Sequence, residues 1–442
     1  ASSGGELILG VRASVFLPLT DHGLISVDEE HDASYKQSDN PPHYFARDCA
    51  VWMARQAGAH CLLASATRSI ESYVNAAVGK YGFVKLDERY GDGQLPVTMV
   101  SNTRRSLKRG ERKAHFNKEM LDNMQSALDD GKQVMLFQNR RGFAPYIECP
   151  ECGWAAHCPR CSVTLSYHKA EGRVRCHTCG YAAPIPSECP ECGSAELKMQ
   201  GMGTEKVEES LGRFFPSARV LRLDRDTATT MRKAEAIISE FERGNADILV
   251  GTQMITKGFD LPRLSLVGVL NADNLLNYPD FRAAERAYQV MTQVAGRAGR
   301  SDDSGRVIIQ TSQPDHPVIR QVQRLDYIGM VDSQLAERRL FGYPPYGRLI
   351  SVSLKHYRKE LVEEGAEWLA GQMKTVFGDR VYGPHLPVIE KIINENYRTI
   401  LLKIETGRSL DKSKALLKGM IEEMGRRPGF KNIGVACDVD PQ

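Results

Sequence analysis

The chain has 442 residues, of which 42% are hydrophobic and 26% charged, with a net charge of +3. That length exceeds what one core supports and predicts two to four domains, while the composition is ordinary for a soluble globular protein. No run approaches eighteen consecutive apolar residues, and ASSGGELILG lacks the basic start, apolar run and cleavage site of a secretory signal; a cytoplasmic protein without a membrane segment is expected.

In chain order, Leu24-Ile25-Ser26-Val27 reads as a short buried strand, residues 47–56 as a helix and residues 61–64 as a second strand. Residues 90–114 are polar, basic and glycine-containing, and suit an inter-domain linker. Their cluster Arg104, Arg105, Lys108, Arg109, Arg112 and Lys113 reads first as a solvated face and second as a nucleic-acid contact. A helix over 117–130 leads into a strand over 133–138. A cysteine block interrupts the pattern, which resumes near Gly203 with strands at 219–223, 247–250, 266–270 and 306–310. Such alternation implies parallel sheets flanked by helices. From about His316 the texture becomes helix-rich, and strands at 349–354 and 399–404 suggest a separate small α+β domain.

Asp28-Glu29-Glu30-His31 closes the first strand and places carboxylates at the carboxyl edge of a parallel sheet, where ligands bind. Asp28 suits Mg²⁺ and Glu29 suits polarising an attacking water in phosphoryl transfer. Ser65-Ala66-Thr67 follows the next strand, a hydroxyl motif suited to linking phosphate state to nucleic-acid grip. Further on, Val250-Gly251-Thr252-Gln253 opens a loop through Lys257, Gly258 and Asp260. Gln293-Val294-Ala295-Gly296-Arg297-Ala298-Gly299-Arg300 sets two arginines three apart on one helix face, suited to charge on a transferring phosphoryl group. No G-x-x-x-x-G-K-[ST] loop occurs, and Gly201-Met202-Gly203-Thr204 is followed by Glu205-Lys206 instead. With the acidic motif so near residue 1, the sequence reads as a fragment that by itself binds ATP poorly and hardly hydrolyses it.

Eight of the eleven cysteines fall in C-x-x-C pairs between Cys149 and Cys192, while Cys49, Cys61 and Cys437 stand alone. In a cytosolic chain this pattern indicates two structural Cys₄ zinc sites. The matching knuckles Cys149-Pro150-Glu151-Cys152-Gly153 and Cys189-Pro190-Glu191-Cys192-Gly193 favour nesting, with Cys149, Cys152, Cys189 and Cys192 on one zinc and Cys158, Cys161, Cys176 and Cys179 on the other. Sequential and cross-braced pairings are the alternatives. His157, His168 and His177 read as surface or packing residues. Between the acidic and hydroxyl motifs, Tyr35, Lys36, Tyr44, Phe45 and Arg47 mix aromatic and basic groups, a composition that stacks on unpaired bases or packs the following helix.

In this order the motifs resemble motifs II, III, V and VI of superfamily-2 helicases. That resemblance implies a Walker B pair at Asp28 and Glu29 and γ-phosphate sensors at Arg297 and Arg300, with Arg300 the arginine finger. It implies nucleotide contacts at Glu30, His31, Gly258, Asp260 and Gln293, and nucleic-acid contacts at Thr252 and Gln253. Leu9-Gly10-Val11-Arg12-Ala13-Ser14 is similar to a backbone-contacting G-T-R-S segment, with Arg12 as the contact and Val11 in place of threonine. D-E-E-H-D-x-S-Y-K-Q, H-Y-x-A-R-D, F-x-N-R-R-G-F-A-P (137–145), the cysteine block, G-x-G-T-E (201–205), D-F-R-x-x-E-R (280–286) and a terminal V-D-P resemble the PriA family, the primosomal protein N′ helicases of bacterial replication restart. Phe259-Asp260-Leu261 departs from the family pattern.

The resemblance implies two RecA-like lobes, the first partial, with a zinc-ribbon insertion and a C-terminal α+β domain of ribosomal S10 type. Its boundaries fall at 1–100 (first lobe), 101–147 (linker and start of the second lobe), 148–194 (zinc insertion), 195–325 (rest of the second lobe) and 326–442. ATP and Mg²⁺ between the lobes, 3′→5′ unwinding of forked and single-stranded DNA, and contact with single-stranded DNA-binding protein and other primosome proteins follow from the same resemblance.

Overall fold

The computed structural model describes residues 6–18, 23–37, 42–86, 96–139, 146–161, 163–168, 172–176, 179–200, 204–224, 227–256, 261–298, 305–387 and 390–441. The chain divides into two compact units. One joins residues 1–82 to residues 342–442; the other is residues 83–341.

In the first unit, β1 (Leu24–Val27) and β2 (His60–Leu63) pair in parallel in full register, Leu24 opposite His60 and Val27 opposite Leu63. The crossover between them is helix α1 (Ala46–Ala57), as a parallel connection requires. Ala46, Ala50 and Ala54 fall four apart, and all three are buried. Gly58, at φ +66°, ends the helix in the left-handed conformation that a side chain disfavours. A second helix, α2 (Ile70–Ala77), starts on Ser69, whose Oγ accepts from the Ser72 amide.

The second unit is a six-stranded, all-parallel sheet. Its strands in chain order are β3 (Val97–Asn102), β4 (Gln133–Phe137), β10 (Val220–Leu223), β11 (Ile248–Gly251), β12 (Leu264–Val269) and β13 (Arg306–Thr311), with β5 to β9 falling in the insertion between β4 and β10.

 The insertion contributes its own short strands, β5 (Tyr146–Glu148), β6 (Ser166–His168), β7 (Arg173–Arg175), β8 (Ala182–Pro184) and β9 (Lys198–Gln200), none of which joins the six-stranded sheet. The order across the large sheet is β10-β11-β4-β12-β13-β3. Its central strands read as continuous apolar runs and are buried throughout, Gln133–Phe137 and Ile248–Gly251 alike, as strands covered on both faces must be. Helices α3 (Thr103–Lys108), α4 (Lys118–Asp129), α5 (Thr204–Phe214), α6 (Met231–Glu242) and α7 (Ala283–Ala295) complete the doubly wound layers, with α8 (Pro317–Arg324) and α9 (Tyr327–Phe341) after the last strand. Phe116, Met120 and Met124 pack with Val134, Leu136, Val207, Leu211, Ile248 and Val250 in its core.

Residues 97–102 lie inside the stretch that reads as linker. They instead pair with β13 over six positions, Val97 opposite Arg306 through Asn102 opposite Thr311. An edge strand is half solvated, so its polar residues dilute the strand pattern.

The rest of the first unit is an antiparallel sheet in the order β15-β16-β14-β17, formed by β14 (Gly347–His356), β15 (Val381–His385), β16 (Glu395–Glu405) and β17 (Gly434–Val439). Helices α10 (Lys359–Phe377) and α11 (Leu410–Arg426) supply Leu369, Met373, Leu417 and Met424 to its core, against Val352, Ile400 and Leu402 of the sheet.

Arg338 of α9 is 1% exposed, and its Nη2 lies 2.5 Å from Oε2 of Glu285 on α7. Removing one partner of a buried pair leaves the other charge uncompensated. Arg338→Met is therefore expected to destabilise the second unit by about 3–5 kcal/mol, measured as a lower urea midpoint. An unchanged midpoint would contradict the pairing.

Candidate nucleotide and zinc sites

The acidic motif sits in the turn that leaves β1. Asp28 is exposed, Glu29 is partly exposed and Glu30 is buried. Glu29 has φ +47°, and such a conformation at a non-glycine residue costs about 1–3 kcal/mol that the surroundings must offset. Oδ1 of Asp28 accepts from the Glu29 amide at 3.0 Å. His31 Nδ1 lies 2.7 Å from Ser65 Oγ and 3.4 Å from Glu29 Oε2, joining the acidic motif to Ser65-Ala66-Thr67. The Thr67 amide donates to the same Ser65 hydroxyl at 3.0 Å.

Glu30 is engaged inside the protein. Its Oε1 accepts from the Ser69 amide at 2.6 Å, and its Oε2 accepts from Arg47 Nη1 at 3.0 Å, Ser69 Oγ at 3.0 Å and Ser72 Oγ at 2.9 Å. Glu30, which the resemblance sets at nucleotide, makes these internal contacts because a carboxylate in the interior has to collect donors. Arg47 is 8% exposed, stacks over Phe45 at 4.3 Å and pairs with Asp48 at 2.9 Å. Burial works against its charge, but Asp48 and then Glu30 more than offset this and hold its pKa above the ordinary value.

Two further residues expected on DNA are also engaged inside the first unit. Lys36 is 5% exposed and its Nζ lies 2.6 Å from Asp438 Oδ1. Arg12 Nη1 donates to the carbonyls of Lys36 at 2.7 Å and Ser34 at 3.3 Å. Tyr35 donates its hydroxyl to the Asp28 carbonyl at 2.7 Å; burial, then the charges of Asp28, Asp32 and Glu29, raises its pKa and keeps that proton in place. Tyr44 meets Phe16 edge-on at 4.7 Å. Both Tyr44 and Phe45 are half-buried.

In the second unit Thr252 is buried and Gln253, which opens a 3₁₀ turn, is exposed. Gly251 is required there, since a Cβ would meet Ile255 Cγ2 at 2.2 Å and the Leu223 carbonyl at 2.9 Å. Gln293 stands near the end of α7 and Arg297 just beyond it, both half-buried. Gly258, Asp260 and Arg300 lie outside the described residues, as do residues 140–145, 201–203 and His177.

The eight thiols gather in two sets, Cys149, Cys152, Cys189 and Cys192, and Cys158, Cys161, Cys176 and Cys179, with the sulfurs of each set within 4.8 Å of one another. This is the nested arrangement. Cys149 to Cys192 is 3.6 Å, Cys152 to Cys189 3.4 Å and Cys158 to Cys179 3.6 Å. A tetrahedral zinc with bonds near 2.3 Å sets sulfurs about 3.8 Å apart, so both sets fit zinc. Three knuckles end on a left-handed glycine, Gly153, Gly180 and Gly193, whose amides donate to Cys149, Cys176 and Cys189. His157 Nδ1 lies 2.8 Å from the Ala155 carbonyl, in keeping with a packing role.

The basic cluster at 104–113, which reads first as a solvated face, reaches the first zinc knuckle. Lys108 Nζ pairs with Glu151 at 2.6 Å and Arg104 donates to the Glu151 carbonyl at 3.4 Å. Beneath it, Ser312 Oγ donates to buried Glu148 at 2.5 Å, and the Ser312 amide donates to buried Asp273 at 2.7 Å. Burial, then the Asp273 charge, pushes the Glu148 pKa up to about 8. Neither acid stood out in the sequence, where only their apolar surroundings could have marked them.

Two zinc ions per chain are expected by elemental analysis, and one or none would contradict the two-site geometry. Cys161 is fully buried and Cys192 exposed, so Cys161→Ser is expected to disrupt the module more than Cys192→Ser, read by zinc release to a chromogenic chelator.

Comparison with known proteins places three parts of the chain. Residues 158–184 match the PriA DNA helicase Cys-rich region domain, 201–302 the helicase conserved C-terminal domain and 339–442 the primosomal protein N C-terminal domain. The replication restart protein PriA of Bacillus subtilis is 38% identical over 441 residues, covering 99% of this chain and 54% of that protein. Those of Synechocystis and Haemophilus influenzae are 41% and 36% identical, covering 83% and 100% of this chain and 45% and 59% of theirs. The chain thus spans about half the length of these relatives. Through its cysteine-rich module and its C-terminal domain alike, it belongs to the PriA family of replication restart proteins.

Proposed function

We propose that this chain is the greater part of the motor of an ATP-driven DNA helicase that unwinds 3′→5′ at forked and single-stranded DNA and promotes primosome assembly. The observation that carries the reading is the wiring of the acidic turn to the hydroxyl motif, with His31 2.7 Å from Ser65 and 3.4 Å from Glu29. A motor needs the group that polarises water to respond to the segment that grips nucleic acid, and this contact joins the two. The match of residues 201–302 to a helicase domain and the names of the relatives support the same reading.

In it, Asp28 holds Mg²⁺ and Glu29 polarises the attacking water, while Arg297 and Arg300 stabilise charge on the γ-phosphate. Gln293, His31, Gly258 and Asp260 assist with nucleotide. Tyr44, Phe45 and Gln253 meet DNA, and the zinc module presents a rigid surface to DNA or to partners such as single-stranded DNA-binding protein. No described helix is long and apolar enough to cross a membrane. A second reading, in which these 442 residues bind DNA and protein without turnover, is favoured by the absence of a G-x-x-x-x-G-K-[ST] loop from their sequence.

Glu29→Gln, made in a form of the protein that carries such a loop, is expected to keep nucleotide affinity and lose about 10²–10⁴-fold in DNA-stimulated ATP hydrolysis. Undiminished turnover would remove Glu29 from the reaction.

A further inference from the structure

The segment that follows the catalytic acids is fastened to the far end of the chain. A buried ammonium must be paired, and the partners of Lys36 are Asp438 Oδ1 at 2.6 Å and the Val439 carbonyl at 2.8 Å, both on β17. Other contacts fasten the same segment. Tyr35 donates to the carbonyl of Asp28, and Arg12 donates to the carbonyl of Lys36. The Lys36 backbone also bridges to Phe45.

Asp438 is itself held by the sheet. It lies opposite Ser351 of β14, and two residues on Asp440 accepts from the Leu349 amide at 3.0 Å and pairs with Arg348 at 2.5 Å. A line of direct contacts therefore runs from the C-terminal sheet through Asp438, Lys36 and Tyr35 to the backbone of Asp28. A lysine placed to touch DNA would keep its ammonium in solvent, and this one does not.

We propose that Lys36 is a positioning residue, and that the C-terminal domain, through Asp438, fixes the turn bearing Asp28 and Glu29 in the geometry that hydrolysis needs. This rests on the ATPase reading above. It makes the C-terminal domain a structural component of the hydrolytic centre, and it gives S-Y-K-Q and the Asp438-Val439 step that opens the terminal V-D-P one shared role.

The test is a mutant cycle of Lys36→Met, the isosteric Asp438→Asn and the double variant in the intact protein. Asp438→Asn is expected to lower kcat for DNA-stimulated ATP hydrolysis about tenfold, with KM for ATP and affinity for an oligo(dT) single strand within about twofold. The double variant is expected to be no worse than the more impaired single one, because both act through one contact. Normal kcat in Asp438→Asn with weakened oligo(dT) binding in Lys36→Met would overturn the proposal and return Lys36 to DNA, and additive losses would overturn it as well. Hydrogen exchange on the 442-residue chain gives a readout independent of activity. Asp438→Asn should accelerate exchange of amides 28–36 about tenfold while the β14–β16 amides keep their protection. Unchanged exchange at 28–36 would overturn the clamp, whereas a wild-type protein that hydrolyses no ATP but shows this acceleration would overturn the ATPase reading and leave the clamp in place.

Discussion

The first unit depends on how one buried carboxylate is satisfied. Glu30 is 1% exposed, one residue past the acid proposed to polarise water, and it collects donors from Arg47, Ser69 and Ser72. Those donors begin α1 and α2, so the turn after β1 is pinned to the starts of both helices. Net stabilisation from such a network is modest, since desolvation opposes it, but removing one partner costs about 3–5 kcal/mol. That asymmetry makes the network a device for holding geometry. The positive φ of Glu29 persists beside it because the neighbouring residues on either side are fixed.

The zinc module meets a different constraint. Residues 149–192 hold too little apolar sequence to fold by burial alone, and their core consists largely of Cys158, Cys161 and Cys176 with Val163, Leu165 and Val174. Sulfur ligands to metal take the place of a larger hydrophobic core. The rest of the second unit grips the module through polar contacts at its root: Glu148 with Ser312, and Glu151 with Arg104 and Lys108. The Lys108 contact is exposed and contributes little, so the buried hydrogen bond at Glu148 is the firmer attachment.

Much of this was legible in the sequence for definite physical reasons. Metal chemistry fixes cysteine spacing, so the matching knuckles favour the nested sets that the sulfurs form. Fully buried parallel strands announce themselves as apolar runs, and 133–137 and 248–251 did. The edge strand 97–102 did not, because half of it faces solvent. The cations are less legible. Lys36, Arg12 and Arg47 look alike as DNA contacts or as internal clamps, and only the partner decides. For Lys36 that partner stands some four hundred residues away, with Val439 403 positions along the chain. Glu30 follows Asp28 and Glu29 in one acidic run, and its burial in the turn after β1 is not legible from that run.

In the proposed motor, hydrolysis depends on an acidic turn held in place by buried polar contacts. Glu30→Gln tests it most directly, since it keeps the shape of the side chain and removes the charge that Arg47 requires. In the intact protein it is predicted to lower kcat for DNA-stimulated ATP hydrolysis about tenfold while Asp28 and Glu29 remain unaltered. A Glu30→Gln protein that hydrolyses ATP at the wild-type rate would contradict the account.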